Sequence, residues 1–205
     1  NGITIESEYD YSSRGLVDFA LRNDFMKKNE EFNFRKVYSD SFYTYFGKCV
    51  MRQSITSNLG GKFGKNMNVE KAMEILKIHN HEKDVFHPAN SDMSSICMHA
   101  TGTLTPSQTT GSMVAEIRKK GASSYWFTGT SSPCISIFKP VYFPGKNLLS
   151  ENNPTPTEFP NQSLWWNGEK LHRKVLQNFK ESVKTFQNEL ETFQKMIIKE
   201  EKKFL

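Results

Sequence analysis

With 205 residues, 37% apolar and 24% charged side chains, 16 Phe, 7 Tyr and 3 Trp, the chain has the material for a core, which excludes an intrinsically disordered protein. No apolar run reaches the roughly 20 residues that span a bilayer, so no membrane partner is expected. The net charge of +5 resides in lysine clusters at 27–28, 119–120 and 199–203 without interleaved glycine-aromatic motifs, which reads as a solvated basic surface with no nucleic-acid partner.

The opening NGITIESEYD lacks the basic and apolar regions of a signal peptide and does not begin with Met, as in a processed product or a fragment. Residues 1–11 alternate through Ile3, Ile5, Tyr9 and Tyr11, which predicts a short strand ending in a turn. Ser12 or Ser13 then caps a helix whose apolar face is Leu16, Phe19, Ala20 and Met26. A second helix is expected from about Arg35 to Ser54 on Val37, Phe42, Tyr45, Phe46 and Val50, and the glycines of NLGGKFGKN end it in a loop. Asn68 caps a third helix with Val69, Ala72, Met73 and Leu76 on one side.

From Ser94 the rhythm becomes that of strands. ICMHA, TTGSMVAEI, SYWFTG and CISIFKPVYF are four candidates, with Lys119-Lys120-Gly121 as a hairpin turn between the second and third. Residues 144–163 form a long Pro- and Asn-rich connection. In the last segment Leu171, Val175, Phe179, Val183, Phe186, Leu190, Phe193 and Ile197 recur every three or four residues, which predicts one long C-terminal helix with a stripe facing a core or a partner helix. Helices, then antiparallel strands, then a long helix predict an α+β domain covering 1–205.

Histidines 79, 81 and 87 lie near Glu82 and Asp84 and could hold zinc or a similar ion, but the segment is the frayed end of a helix, and a solvated polar loop is the favoured reading. No metal or other cofactor is therefore expected. His99, between small residues, reads as a hydrogen-bonded core histidine ahead of a catalytic base. The run Ser107 to Ser112 offers hydroxyls for a polar pocket or simply a turn and a strand, and no G-x-S-x-G elbow is present. Cys134 opens an apolar strand after a proline, an environment that raises a thiol pKa, so it reads as part of a wall, as does Cys97. Cys49 has Lys48 and Arg52 nearby but no evident base. Three cysteines are too few for a disulfide framework.

The block SSICMHATGTLTPSQTTGSMVAEI followed by SYWFTGTSSPCISIFKPV resembles the C-terminal half of the secernin and dipeptidase A family, thiol-dependent N-terminal-nucleophile (Ntn) hydrolases. NGITI, FNFRKVYSDSFYTYF, SLWWNGEKLHR and the terminal helix agree in order, so the resemblance covers nearly the whole chain. It implies the second half of a four-layer αββα fold and hydrolysis of dipeptide or other small amide bonds. The family's nucleophile is an N-terminal cysteine whose own α-amine is the base, so no histidine triad is needed. None of the three cysteines here matches that position, and the resemblance implies a nucleophile-bearing N-terminal segment or chain as partner.

Asn1 resembles the asparagine of the family's Asn-x-Leu-Thr-Ile strand, which implies an oxyanion donor, a role worth ~10²–10³ in rate; a strand-end residue is its alternative. Ser41 and Tyr45 stand where relatives carry basic residues, leaving Arg52, with Thr109 and Thr110, as substrate-binding candidates. The second functional class is a catalytically inactive relative acting as a binding or scaffold protein, whose helix stripe would allow a homo-oligomer. The sequon Asn161-Gln162-Ser163 leaves a cytoplasmic or a lysosomal or secretory location open.

Overall fold

The computed structural model describes residues 12–82, 86–103, 105–143 and 153–203. The expected first strand and Asn1 lie outside them. Two compact units divide the chain, Asn1–Ser57 and Asn58–Leu205.

The first unit is helical: α1 (Leu16–Arg22), α2 (Phe34–Tyr38), α3 (Ser41–Phe46) and the start of α4 (Cys49–Phe63). The helix expected over 35–54 is three helices because the sequence supplies two more starts. Asn33 accepts a hydrogen bond from the Lys36 N–H and Asp40 from the Tyr43 N–H, so each caps a new helix. Ser39 is extended between them, and Lys48 breaks the path again at φ 46°. Helix α1 starts at Gly15 in the left-handed region, without the serine side-chain cap expected. Phe19, Phe25, Phe32, Phe34 and Tyr38 form edge-on and tilted ring pairs, and the Tyr38 hydroxyl donates to the Leu16 carbonyl at 2.7 Å. The glycine-rich stretch expected to be a loop extends α4 to Phe63, with Leu59 and Phe63 half-buried on one side; the chain leaves the helix at Gly64, φ 48°.

The second unit holds α5 (Val69–Leu76), a three-stranded sheet and two C-terminal helices, α6 (Leu164–Gln177) and α7 (Phe179–Glu201). Asn68 caps α5 as the sequence predicts, accepting from the Lys71 N–H at 2.9 Å. Strands β1 (Met113–Glu116), β2 (Ser124–Phe127) and β3 (Lys139–Tyr142) pair antiparallel in the order β1-β2-β3, with Val114 opposite Trp126 and Trp126 opposite Pro140. Gly121, φ 80°, sits in the expected hairpin turn. The α+β character is thus present.

Three of the four expected strands change, and of TTGSMVAEI only Met113–Glu116 is a strand. ICMHA is irregular, because its amides bond to loops: Cys97 N–H donates to the Ile78 carbonyl and His99 N–H to the Ser91 hydroxyl. Of CISIFKPVYF only the last part is a strand; Pro133–Ile135 is a 3-10 turn following Ser132 at φ 60°.

One face of the sheet packs on helices. Val114, Trp126 and Phe138 form a buried cluster with Met73 of α5 and Ile198 of α7. The Gln194 amide of α7 completes it, accepting from the Phe138 N–H at 2.8 Å and donating to its carbonyl at 3.1 Å. Buried Glu201 accepts from the Ser124 hydroxyl and pairs with Arg118 at 3.4 Å. The opposite face carries Met113, Ala115, Tyr125, Phe127, Lys139 and Val141, of which Val141 is buried and Tyr125, Phe127 and Lys139 half-buried, with Ile117 and Phe143 just beyond the strand ends. Met113, Ile117 and Phe143 are 54, 69 and 63% exposed.

The expected single C-terminal helix is two. Asn178, at φ −149° and ψ 68°, leaves helical geometry between α6 and α7. The predicted stripe is used mostly within the chain: Val175, Phe179 and Leu190 are buried, Val183, Phe186 and Ile197 half-buried, and Leu171 and Phe193 exposed.

Gln194→Leu leaves the buried amide and carbonyl of Phe138 unpaired and is expected to cost about 2–5 kcal/mol, read from the urea midpoint; Phe193→Ser on the exposed side is expected to stay within about 0.5 kcal/mol.

Candidate functional site: a buried histidine and cysteine cluster

Thr109 organises the interior of the second unit. Its amide donates to the Met98 carbonyl at 3.0 Å, and its own carbonyl accepts from the Ser132 N–H at 2.9 Å. Its hydroxyl accepts from the Met98 N–H at 3.0 Å and donates to the Ile96 carbonyl at 3.2 Å. One residue thereby ties the 96–98 segment to the turn that carries Cys134. A second set of bonds ties the residues just before that segment to the chain that follows α5. Asn80 donates from its backbone to the Ser95 hydroxyl and from its side chain to the Ser94 hydroxyl.

Those constraints bring four side chains together. The Nε2 atoms of His79 and His99 are 3.1 Å apart, and His99 Nε2 lies 3.6 Å from Cys97 Sγ and 3.5 Å from Cys134 Sγ. The four nitrogen and sulfur atoms all fall within 4.8 Å of one another. His79 stacks flat on Phe86, centroids 3.6 Å apart, and Phe179 meets the His99 ring edge-on. Both thiols are free. The Cys97 thiol is held well below its usual range, first by the hydrogen bond from Cys134 and then by those from His79 and His99, against the cost of burial. The Cys134 thiol is pushed well above its usual range by donating to Cys97 and by burial.

A second polar chain backs the first. Ser132 Oγ lies 3.4 Å from His99 Nδ1 and 3.1 Å from His172 Nε2. On the far side of that ring, Glu169 Oε2 is 3.8 Å from His172 Nδ1, and Glu169 Oε1 accepts from the Ser131 N–H at 3.1 Å. Gly168 permits this approach of α6, since a Cβ there would meet Thr130 Cγ2 at 2.5 Å.

His79 and Cys134 open onto a cleft of about 810 Å³, also lined by Lys77, Met73, Phe179 and Glu191. Burial lowers the Lys77 ammonium pKa, opposed by the nearby thiols and by Glu191.

The sequence-predicted site residues fare differently. Asn1 lies outside the described residues. Arg52 belongs to the first unit, where its guanidinium donates to the Gly47 carbonyl at 2.5 Å. The Thr109 hydroxyl already bridges two backbone groups, and Thr110 is exposed. Of the three histidines read as a solvated loop, His81 is exposed and His87 accepts from the Ala89 N–H as the cap of a 3-10 turn, while His79 departs from that reading and turns to the cysteines. Reading the thiols one at a time as wall residues missed the cluster; the available signal was Cys97-x-His99, which in an extended segment puts both side chains on one side. The expectation that His99 is a hydrogen-bonded core histidine agrees with its burial.

Comparison with protein-family models, curated proteins and solved structures finds no match to this chain.

Burial lowers the His172 pKa below 6.5, outweighing the opposing charge of Glu169, so the folded chain prefers the neutral ring and the unfolded chain binds the proton more tightly. Stability tied to this ring is present above the ordinary histidine value and is lost as pH falls through it. Moving from about pH 7.5 to about pH 5.5 is expected to lower the melting temperature, and His172→Gln to lose less over the same interval, as followed by circular dichroism.

Proposed function

We propose that the chain is the C-terminal half of an amide-bond hydrolase of the dipeptidase type, acting with a cysteine nucleophile carried by another segment or chain. One observation carries the reading: helices α5 and α7 cover one face of the sheet, while the other face carries Met113 at 54% exposure beside half-buried Tyr125 and Phe127, with Ile117 and Phe143 69 and 63% exposed just past the strand ends. A helix layer on a sheet with an apolar outer face is what half of an αββα sandwich looks like, the second sheet being the natural cover. The ordered motifs support the same reading, since the two stretches with the closest family likeness meet each other through Thr109.

On this reading a terminal cysteine thiol attacks the substrate carbonyl after giving its proton to its own α-amine. The amine returns that proton to the leaving nitrogen as the carbon–nitrogen bond breaks, and water then hydrolyses the thioester. Asn1 would donate to the oxyanion. The cleft beside Lys77, with its cation at one wall, is the concave surface offered to a small peptide.

The polypeptide encoded by the complete reading frame around residues 1–205 is expected to hydrolyse dipeptides, to lose turnover on alkylation with iodoacetamide, and to contain a chain that begins with cysteine by mass spectrometry. Ile117→Lys with Phe143→Lys is expected to reduce turnover at least about tenfold by opening the sheet-to-sheet contact. A frame without such a cysteine, or a folded product without alkylation-sensitive turnover, overturns the reading in favour of a binding or scaffold role.

A further inference from the structure

We propose that His79, Cys97, His99 and Cys134 form a zinc site with two nitrogen and two sulfur ligands. The amide-hydrolase reading uses none of the four, so the site is additional to it.

The distances argue for an ion. With Zn–N at ~2.0–2.1 Å and Zn–S at ~2.3 Å, a tetrahedral site spaces its nitrogens ~3.3 Å apart and each nitrogen ~3.5 Å from each sulfur. The observed separations are 3.1 Å for His79 to His99, 3.6 Å for His99 to Cys97 and 3.5 Å for His99 to Cys134. Hydrogen bonding alone explains this poorly. A ring nitrogen carries either one hydrogen or one lone pair, directed in the ring plane, so His99 Nε2 can satisfy one of its three close partners. A cation satisfies all four ligand atoms together once the widest separation among them, up to 4.8 Å, closes by about 1 Å to tetrahedral spacing. Two thiolates and a dication also sum to no net charge, which suits a site where Cys97 and His99 are almost fully buried.

The surroundings are those of a supported site. The ligands come from three segments already tied by backbone bonds: Cys97 N–H to Ile78, and Thr109 to both Met98 and Ser132. Phe86 fixes the His79 ring plane. The second nitrogen of His99 faces Ser132 Oγ, itself against His172, the outer hydrogen bonding that sets which ring nitrogen faces a metal. Four protein ligands fill a tetrahedron, so the site is structural and leaves no position for substrate. Nitrogen and thiolate donors together select zinc over magnesium or calcium.

The test uses the purified chain dialysed against zinc and then freed of excess. Elemental analysis is expected to find about one zinc per chain. Removal with 1,10-phenanthroline is expected to lower the melting temperature by about 5 °C or more, restored by added zinc. Cobalt(II) in its place is expected to give the visible bands of a tetrahedral ion and a thiolate charge-transfer band. Cys97→Ser with Cys134→Ser is expected to abolish stoichiometric binding, while substitution of the exposed third thiol, Cys49→Ser, retains it. If the double variant does not fold, alkylation of the wild-type chain decides: zinc must shield Cys97 and Cys134 while exposed Cys49 reacts. A chain that takes up no zinc, a six-coordinate cobalt spectrum, undiminished zinc in a folded double variant, or equal alkylation of all three thiols with and without zinc overturns the proposal.

Discussion

The second unit depends on the four hydrogen bonds made by Thr109. Its amide, carbonyl and hydroxyl bind the irregular 96–98 segment to the left-handed turn at Ser132, and neither segment has a regular ladder to hold it. Remove those bonds and Cys97, His99 and Cys134 have no reason to share a space. A buried backbone group without a partner costs about as much as a lost hydrogen bond, so irregular chain can be buried only where such cross-links exist. Ser91, Ser94, Ser95 and Ser132 serve the same end, with hydroxyls or amides directed into neighbouring loops.

The unit therefore has two interiors with different chemistry. Between the sheet, α5 and α7 lies an apolar cluster centred on Trp126 and Phe138, both fully buried. Beside it lies a polar interior of hydroxyls, imidazoles and thiols, bordered by Phe86, Ile135, Val175 and Phe179. The first fixes the sheet against the helices; the second determines where the reactive groups stand. Turn Pro133–Ile135 serves the second interior twice, with Ile135 in its apolar border and Cys134 facing the imidazoles.

Much of the local structure was legible in the sequence and much of the site was not. The α5 cap at Asn68, the Lys119-Lys120-Gly121 turn and the SYWF strand follow from neighbours in sequence, so pattern reading finds them. The helix breaks at Ser39 and Asn178 were missed because apolar spacing continues across both; the Asp40 cap interrupts it after Ser39, and at Asn178 the backbone alone leaves helical geometry. ICMHA has the composition of a strand but finds loop partners for its amides, a tertiary outcome that no local preference encodes. The cluster was missed for the same reason: His79, Cys97 and Cys134 are distant in sequence, and each alone looks like an ordinary interior or loop residue. Asn1 and the αββα assignment rest on likeness of motifs.

Ser132 is a non-glycine residue at φ 60°, fully buried, and followed by a proline. Glycine would take that backbone shape with less strain, yet it has no oxygen to place between His99 and His172. The position is thus a contest between main-chain comfort and side-chain chemistry, and chemistry has won. A homologue with glycine here would gain an easier turn and surrender the link between two imidazoles, so the identity of this one residue in related chains is a readable marker of whether the polar interior is kept for use or only for shape.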